Sequence, residues 1–247
     1  MPTERIWFGS RANIKKLSQI DTKLHLGSTV VEPVTSVRKL GVYIDGELNM
    51  LVHIGKISSV CFYHLRRLRQ LRNVMSSATM QRLVSTFVLS RLDYCNLVLA
   101  GLPAVTLTPL QRTMNAAVRL FAGLGWRDHI TSAMRDLRWL PIIYRIRYKL
   151  CIRMRAAANN NSPKYITEIP VHNSSLQERA ALRSFTSGGY VVPRSKTEFG
   201  KRAFCVAVPK AWNELPPEFR HMSDIQIFKR ALKTHLFNAA CDNLVYN

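Results

Sequence analysis

From Ile54 onward the apolar residues of this chain recur every three or four positions: Ile54, Ile57, Cys61, Leu65, Leu68 and Leu71. Each helical residue turns by about 100°, which keeps these six within about 60° of Leu68 and leaves Lys56, Arg66, Arg67 and Arg69 about 100° or more away. A strand would scatter the same set over both faces. The pattern therefore predicts an amphipathic helix with one buried side and one cationic side.

Three more helical patterns follow. One starts near Ser77, buries Met80, Leu83, Val84, Phe87, Val88 and Leu92, and ends near Gly101-Leu102-Pro103. The next runs from about Pro109, a favoured first-turn residue, through Leu110, Met114, Ala117, Val118 and Phe121 toward Gly123. Another opens at Pro141 and continues through Ile143, Ile146, Leu150 and Met154, before the linker Asn159-Asn160-Asn161-Ser162-Pro163. Residues 171–200 read as irregular, with a turn at Ser187-Gly188-Gly189. A last helix is predicted with Ser223 as its cap, Gln226 completing a capping box and Met222 stapled onto Ile227. Its buried stripe is Phe228, Ala231, Leu232, His235 and Leu236.

The first 48 residues read differently. Arg5 to Gly9 is compact and apolar, and Lys23–Leu26, Gly27-Ser28 and Thr29–Glu32 form a hairpin pattern around a two-residue turn. Val37 to Ile44 is predicted as one further strand ending at Asp45-Gly46. The expected fold is α+β, mainly α-helical, with a few short N-terminal antiparallel strands.

Charge sorts the function classes. Lys and Arg number 36 against 15 Asp and Glu, a formal +21, and 17 cations against three acids fall within residues 49–162. Such an excess opposes compaction unless a polyanion neutralises it, and nucleic acid is the commonest one. Arg145, Lys149 and Arg153 stand at i, i+4 and i+8, a row that reads as a phosphate track in this setting. The aromatics nearby (Phe62, Tyr63, Trp126, Trp139, Tyr144 and Tyr148) are expected mostly in the core.

The longest uncharged apolar stretch, Leu97 to Leu107, falls well short of the roughly 20 residues needed to span a bilayer. With no apolar segment of signal-peptide type behind Met1, the expected location is intracellular, nuclear or cytoplasmic, without a membrane partner. Five scattered cysteines give no disulfide framework, and Cys61 with His64 has no second ligand pair, so no metal is predicted. There is no Walker-type loop. Tyr43-Ile44-Asp45-Gly46 lacks the second carboxylate that two-metal phosphoryl transfer requires, so no catalytic residue is predicted.

Several strings, in order over nearly the whole chain, resemble the jockey-like branch of LINE reverse transcriptases. They are Thr3-Glu4 with Ile6-Trp7-Phe8-Gly9, Arg38-Lys39-Leu40-Gly41-Val42, and Ser90-Arg91-Leu92-Asp93-Tyr94-Cys95-Asn96. Leu110-Gln111 with Asn115-Ala116-Ala117, His129-Ile130-Thr131 and Leu137-Arg138-Trp139-Leu140-Pro141 continue the series. Pro209-Lys210-Ala211-Trp212-Asn213-Glu214-Leu215-Pro216, then Phe228-Lys229 with Leu232-Lys233-Thr234-His235-Leu236, close it.

The resemblance implies a C-terminal piece of an RNA-directed DNA polymerase: residues 1–48 a palm remnant, 49–162 a basic helical thumb, and 163–247 a C-terminal region. It places a primer-grip-like strand at Leu40, Gly41 and Val42. Lys56, Arg66, Arg67, Arg69, Arg145, Lys149 and Arg153 would then hold the backbone of an RNA or DNA primer–template. The implied Mg²⁺ ions belong to an active site upstream of these residues, and the upstream polymerase segment is an implied partner. Three other readings stay open: a free-standing basic nucleic-acid-binding module, a scaffold docking an acidic protein, and a translated relic of a decayed element.

Overall fold

The structure, a computed structural model, describes residues 4–17, 22–27, 29–173 and 188–245. Its N-terminal part is assembled from small pieces: α1 (Arg11–Leu17), β1 (Leu24–Leu26), β2 (Thr29–Val31), β3 (Ser36–Lys39) and β4 (Val42–Asp45). β1 and β2 pair antiparallel with Leu26 opposite Thr29, as the turn pattern predicts, although Ser28 lies outside the described residues.

The stretch from Val37 to Ile44 is not one strand. It reverses at Leu40-Gly41, where φ is 46° and 80°, so that Arg38 pairs with Tyr43 and Val37 with Ile44. Positive φ at both central residues suits the twist of a two-residue hairpin, and such turns usually announce themselves with Asn or Asp before Gly. Leucine in that place hides the turn from a sequence reading. Beyond it, Asp45 closes the approach to the first long helix: its two carboxylate oxygens accept the backbone N–H of Asn49 at 2.9 Å and of Met50 at 2.7 Å.

That helix, α2 (Leu51–Leu71), buries the expected stripe at Ile54, Cys61, Leu65 and Leu68. The second pattern forms α3 (Ser77–Val84), a π-helical turn over Ser85–Leu89, and α4 (Ser90–Asp93). Ser76 starts this rod by accepting the Thr79 N–H. A 3₁₀ turn (Asn96–Leu99) leads to α5 (Ala104–Ala122), which begins five residues before the predicted Pro109. Pro103 occupies the cap, and Pro109 sits in the second turn, where it lacks the N–H that would reach back to Val105 and its ring crowds that carbonyl.

The remaining helices are α6 (Thr131–Asp136), α7 (Ile142–Ala158), α8 (Lys164–Thr167), α9 (Glu198–Lys201), α10 (Phe204–Asn213), α11 (Pro217–Arg220) and α12 (Ile225–Val245). In the region read as irregular, residues 174–187 lie outside the described residues, and the flanks meet in a bridge between His172 and Tyr190. α12 is capped by Asp224, not Ser223: Asp224 Oδ1 accepts the amides of Gln226 at 2.6 Å and Ile227 at 2.9 Å. A carboxylate also complements the positive end of the helix dipole, which a hydroxyl cannot. The staple from Met222 does not form either, since Ile227 is 59% exposed.

One apolar core runs from Val42 to Leu236. α2 lies along α5, and α7 packs against α5, α10 and α12. Met114, Val118, Cys61 and Phe228 are fully enclosed, and truncating a side chain such as Met114 or Phe228 to Ala typically costs about 2–5 kcal/mol. Arg155 is a buried cation in this core; its Nη1 donates to the Arg220 carbonyl at 3.2 Å and its guanidinium lies 5.6 Å from the Phe228 ring. Burial lowers its pKa, and Tyr190 partly opposes this. Across the molecule, Arg202 donates to the Leu48 carbonyl at 2.7 Å. It passes Gly101, where a Cβ would come within 2.9 Å of its Cγ.

In the two hairpins, Val31, Val42 and Asp45 are the buried residues, and isolated two-stranded units are marginal in water. Hydrogen exchange is expected to find the amides of β1–β4 less protected than those from Met80 to Leu92. Equal or greater protection in the hairpins would show that they are stabilised independently of the helices.

Candidate nucleic-acid interface

The β3–β4 hairpin lies against α2, and the end of α4 reaches its tip. The Tyr94 hydroxyl donates to the Leu40 carbonyl at 2.7 Å. Gly41 suits this place by its φ of 80°, and the Tyr94 ring packs beside it. Two strings far apart in sequence, Leu40-Gly41 and Ser90–Asn96, thus touch. Between hairpin, α2 and α4 lies an open groove of about 450 Å³.

Arg38, Lys56 and Arg91 put three cations into this groove, and no carboxylate occurs among the described residues that line it. The Arg38 guanidinium lies over the Tyr43 ring at 5.5 Å. His53, also in the lining, is 2% exposed, and its Nδ1 accepts the Tyr43 N–H at 3.4 Å. That acceptor role places the proton of the neutral ring on Nε2, which has no hydrogen-bond partner among the described residues. Burial lowers the His53 pKa, so the ring stays neutral.

Beyond the groove, Lys56, Val60, Tyr63 and Arg67 follow at spacings of three or four, one row along α2. Tyr63 is 53% exposed, placing an aromatic face between two cations. His64 stacks on Phe87 at 5.1 Å, and its pKa is lowered by burial and by Arg91. Arg66 and Arg69 are exposed as expected but face away from this row. Cys61 is core rather than ligand: its thiol is pushed up to about 11 by burial, against the pull of Arg91.

The row on α7 divides. Arg145 pairs with Asp93 at 2.8 Å and donates through Nε to the Leu140 carbonyl, and Lys149 Nζ donates to the Asp93 carbonyl. Both first hold α7 to α4. Arg153 alone of the three is exposed. The aromatic expectation also needs correction. Trp139 is buried, but Trp126 is 77% exposed under the Arg127 guanidinium at 4.5 Å, and Phe62 and Tyr63 face outward.

Sequence reasoning missed Arg38, His53, Arg91 and Tyr94 as groove residues. The signal that could have found them is the scarcity of acid: between Glu47 and Asp128 the only acidic residue is Asp93, and Arg145 occupies it. Among the described residues no helix is long and apolar enough to cross a membrane. No family model, no curated protein and no solved structure matches the chain.

Because the folded-state pKa of His53 lies below 6.5, the unfolded chain binds protons more readily. Stability is therefore full above about pH 6.5 and falls as pH drops toward the folded value. Urea midpoints measured across this window should decline with acidification. His53→Asn keeps an acceptor for the Tyr43 N–H and should flatten the decline, leaving a residual from His64; an unchanged slope would assign the linkage elsewhere.

Proposed function

We propose that the chain binds the sugar–phosphate backbone of a primer–template without making bonds, as the C-terminal part of a LINE-type RNA-directed DNA polymerase. The observation that carries this reading is the meeting of Leu40-Gly41 and Ser90–Asn96 in one cation-lined, carboxylate-free groove. Both strings belong to the resemblance, and nothing in their spacing requires them to touch. Arg38, Lys56 and Arg91 neutralise phosphates in the groove, and Arg67 and Tyr63 extend the contact along α2. Arg66, Arg69 and Arg153 supply outer positive potential. The hairpin tip, not a continuous strand, is the primer-grip-like element.

Positioning and charge neutralisation are the work of this part; the metal-dependent step belongs to the upstream polymerase segment. Asp45 supports that division, since both of its oxygens are engaged by backbone amides at the start of α2.

Filter binding or anisotropy should give affinities nearly independent of base sequence, with log K falling against log salt at a slope of about −4 to −5 if roughly five phosphates are neutralised on a duplex. Charge reversal at Lys56, Arg67 and Arg91 should weaken every sequence alike and flatten that slope. Reversal at Arg66, Arg67 and Arg69 should act the same way, and reversal at Lys201 and Lys210 should matter less. A salt-independent affinity would overturn the proposal.

In primer-extension assays on an RNA template with Mg²⁺ or Mn²⁺, the purified chain is expected to add no nucleotides. Extension abolished by Asp45→Ala would refute the non-catalytic assignment.

A further inference from the structure

A second concavity, of about 310 Å³, opens among the end of α4, the Arg138–Leu140 turn, α7 and α12. Arg138, Arg145, Lys149 and Lys233 line it, and Asp93 is the only acid among the described residues in its wall. The Asp93 carboxylate is already taken by Arg145 at 2.8 Å. Lys149 donates to the Asp93 backbone carbonyl, so Arg138, Lys149 and Lys233 share one space without a carboxylate of their own.

Arg145 and Lys149 hold α7 to α4, but gathering Arg138 and Lys233 beside them adds repulsion that no further carboxylate in the wall offsets. Desolvation already lowers the Lys149 pKa, Asp93 and Cys95 oppose that, and Arg153 and Arg145 add to it. Arg138 further adopts φ 50°, the left-handed region that a residue with a Cβ avoids. From that position its side chain lines both this pocket and an adjoining hollow of about 230 Å³, where Arg230 and Lys233 are its cationic neighbours. Trp139 and Leu140 make the floor apolar, which strengthens any charge–charge attraction above it.

We propose that this pocket seats a phosphomonoester dianion, supplied either by the 5′-terminal phosphate of a nucleic-acid strand or by a free phosphorylated small molecule. Three cations converging on a concave site suit a terminal group with two negative charges and three acceptor oxygens. The singly charged diesters of a duplex suit the open row along α2 instead. Only the 5′-terminal source rests on the nucleic-acid reading above; the phosphate chemistry of the pocket stands without it.

The full chain is tested with inorganic pyrophosphate and with two oligonucleotides of one sequence, bearing a 5′-phosphate or a 5′-hydroxyl. Pyrophosphate should raise the melting temperature, the shift growing with the logarithm of its concentration above Kd. The 5′-phosphate should tighten oligonucleotide binding by about tenfold. Both gains should vanish in Lys233→Ala and in Arg138→Ala, whose side chains are exposed. If Arg138→Ala is unstable, Lys233→Gln serves in its place. Lys56→Glu should weaken both oligonucleotides equally and leave the pyrophosphate shift intact, which separates failure of the groove from failure of the pocket. A pyrophosphate shift without a 5′-phosphate preference supports the pocket and assigns it to a free phosphorylated molecule. No pyrophosphate shift and no 5′-phosphate preference overturns the proposal.

Discussion

One carboxylate has to serve a long basic stretch. Between Glu47 and Asp128 the chain supplies only Asp93, and its position decides how α4, α7 and the hairpin meet. The side chain takes Arg145, and the backbone carbonyl of the same residue takes Lys149. The next residue, Tyr94, reaches the other way to the Leu40 carbonyl. Asp93 is part-buried and Arg145 more so, so solvent does not fully screen the pair. Removing the acid would strand two cations beside each other, a larger penalty than the loss of one ion pair in water. The contribution of this pair is therefore to fix geometry as much as to add stability.

Along α2 the chain manages its charge by sorting rather than pairing. α2 contains no acidic residue, and its cations stay outside because the stripe from Ile54 to Leu68 faces α5. The interior is left to groups that do not ionise: the Cys61 and Cys151 thiols, pushed up to about 11 and about 12, behave as small apolar side chains. Asp45 and Arg155 are exceptions: Asp45 is held by the Asn49 and Met50 amides, and Arg155 by the faces of Trp212 and Phe228 and by one carbonyl. Aromatic faces and a backbone dipole can solvate a guanidinium in part, at lower desolvation cost than an ammonium would incur.

What the sequence disclosed follows from which forces are periodic. α2 and α7 were legible because burial repeats along them every three to four residues, and the second helix was legible for the same reason despite the π-helical turn at Ser85–Leu89. The hairpin at Leu40-Gly41 was not, because a leucine in a left-handed turn is held there by Tyr94, a contact made from 54 residues away. The start of α5 was misplaced because proline marks a first turn only on average, and Pro103 competes with Pro109 for that role. The four-residue helices α8, α9 and α11 have too few turns for any period to show. The site was half visible: cationic residues could be counted, but which of them face one another depends on packing. Arg145 and Lys149 looked equivalent to Arg153 until Asp93 arrived beside them.

The groove and the pocket share a wall, and this ties their properties together. Ser90, Arg91 and Tyr94 face the groove, whereas Leu89 and Asp93 face the pocket, so five of the six residues from Leu89 to Tyr94 line one or the other. A packed helical segment moves as a unit, because its neighbours are close-packed and leave no room for one side chain to adjust alone. Neutralising the cations on either flank lowers the repulsion that the same short segment bears. Self-repulsion in a chain of +21 opposes the compact state at every ionic strength where it is incompletely screened. A polyanion that binds only the folded arrangement thus adds its binding free energy to a fold already strained in that one respect. Under the proposed function, stability and binding respond to the same variable, the number of cations around Asp93 that have found an anion.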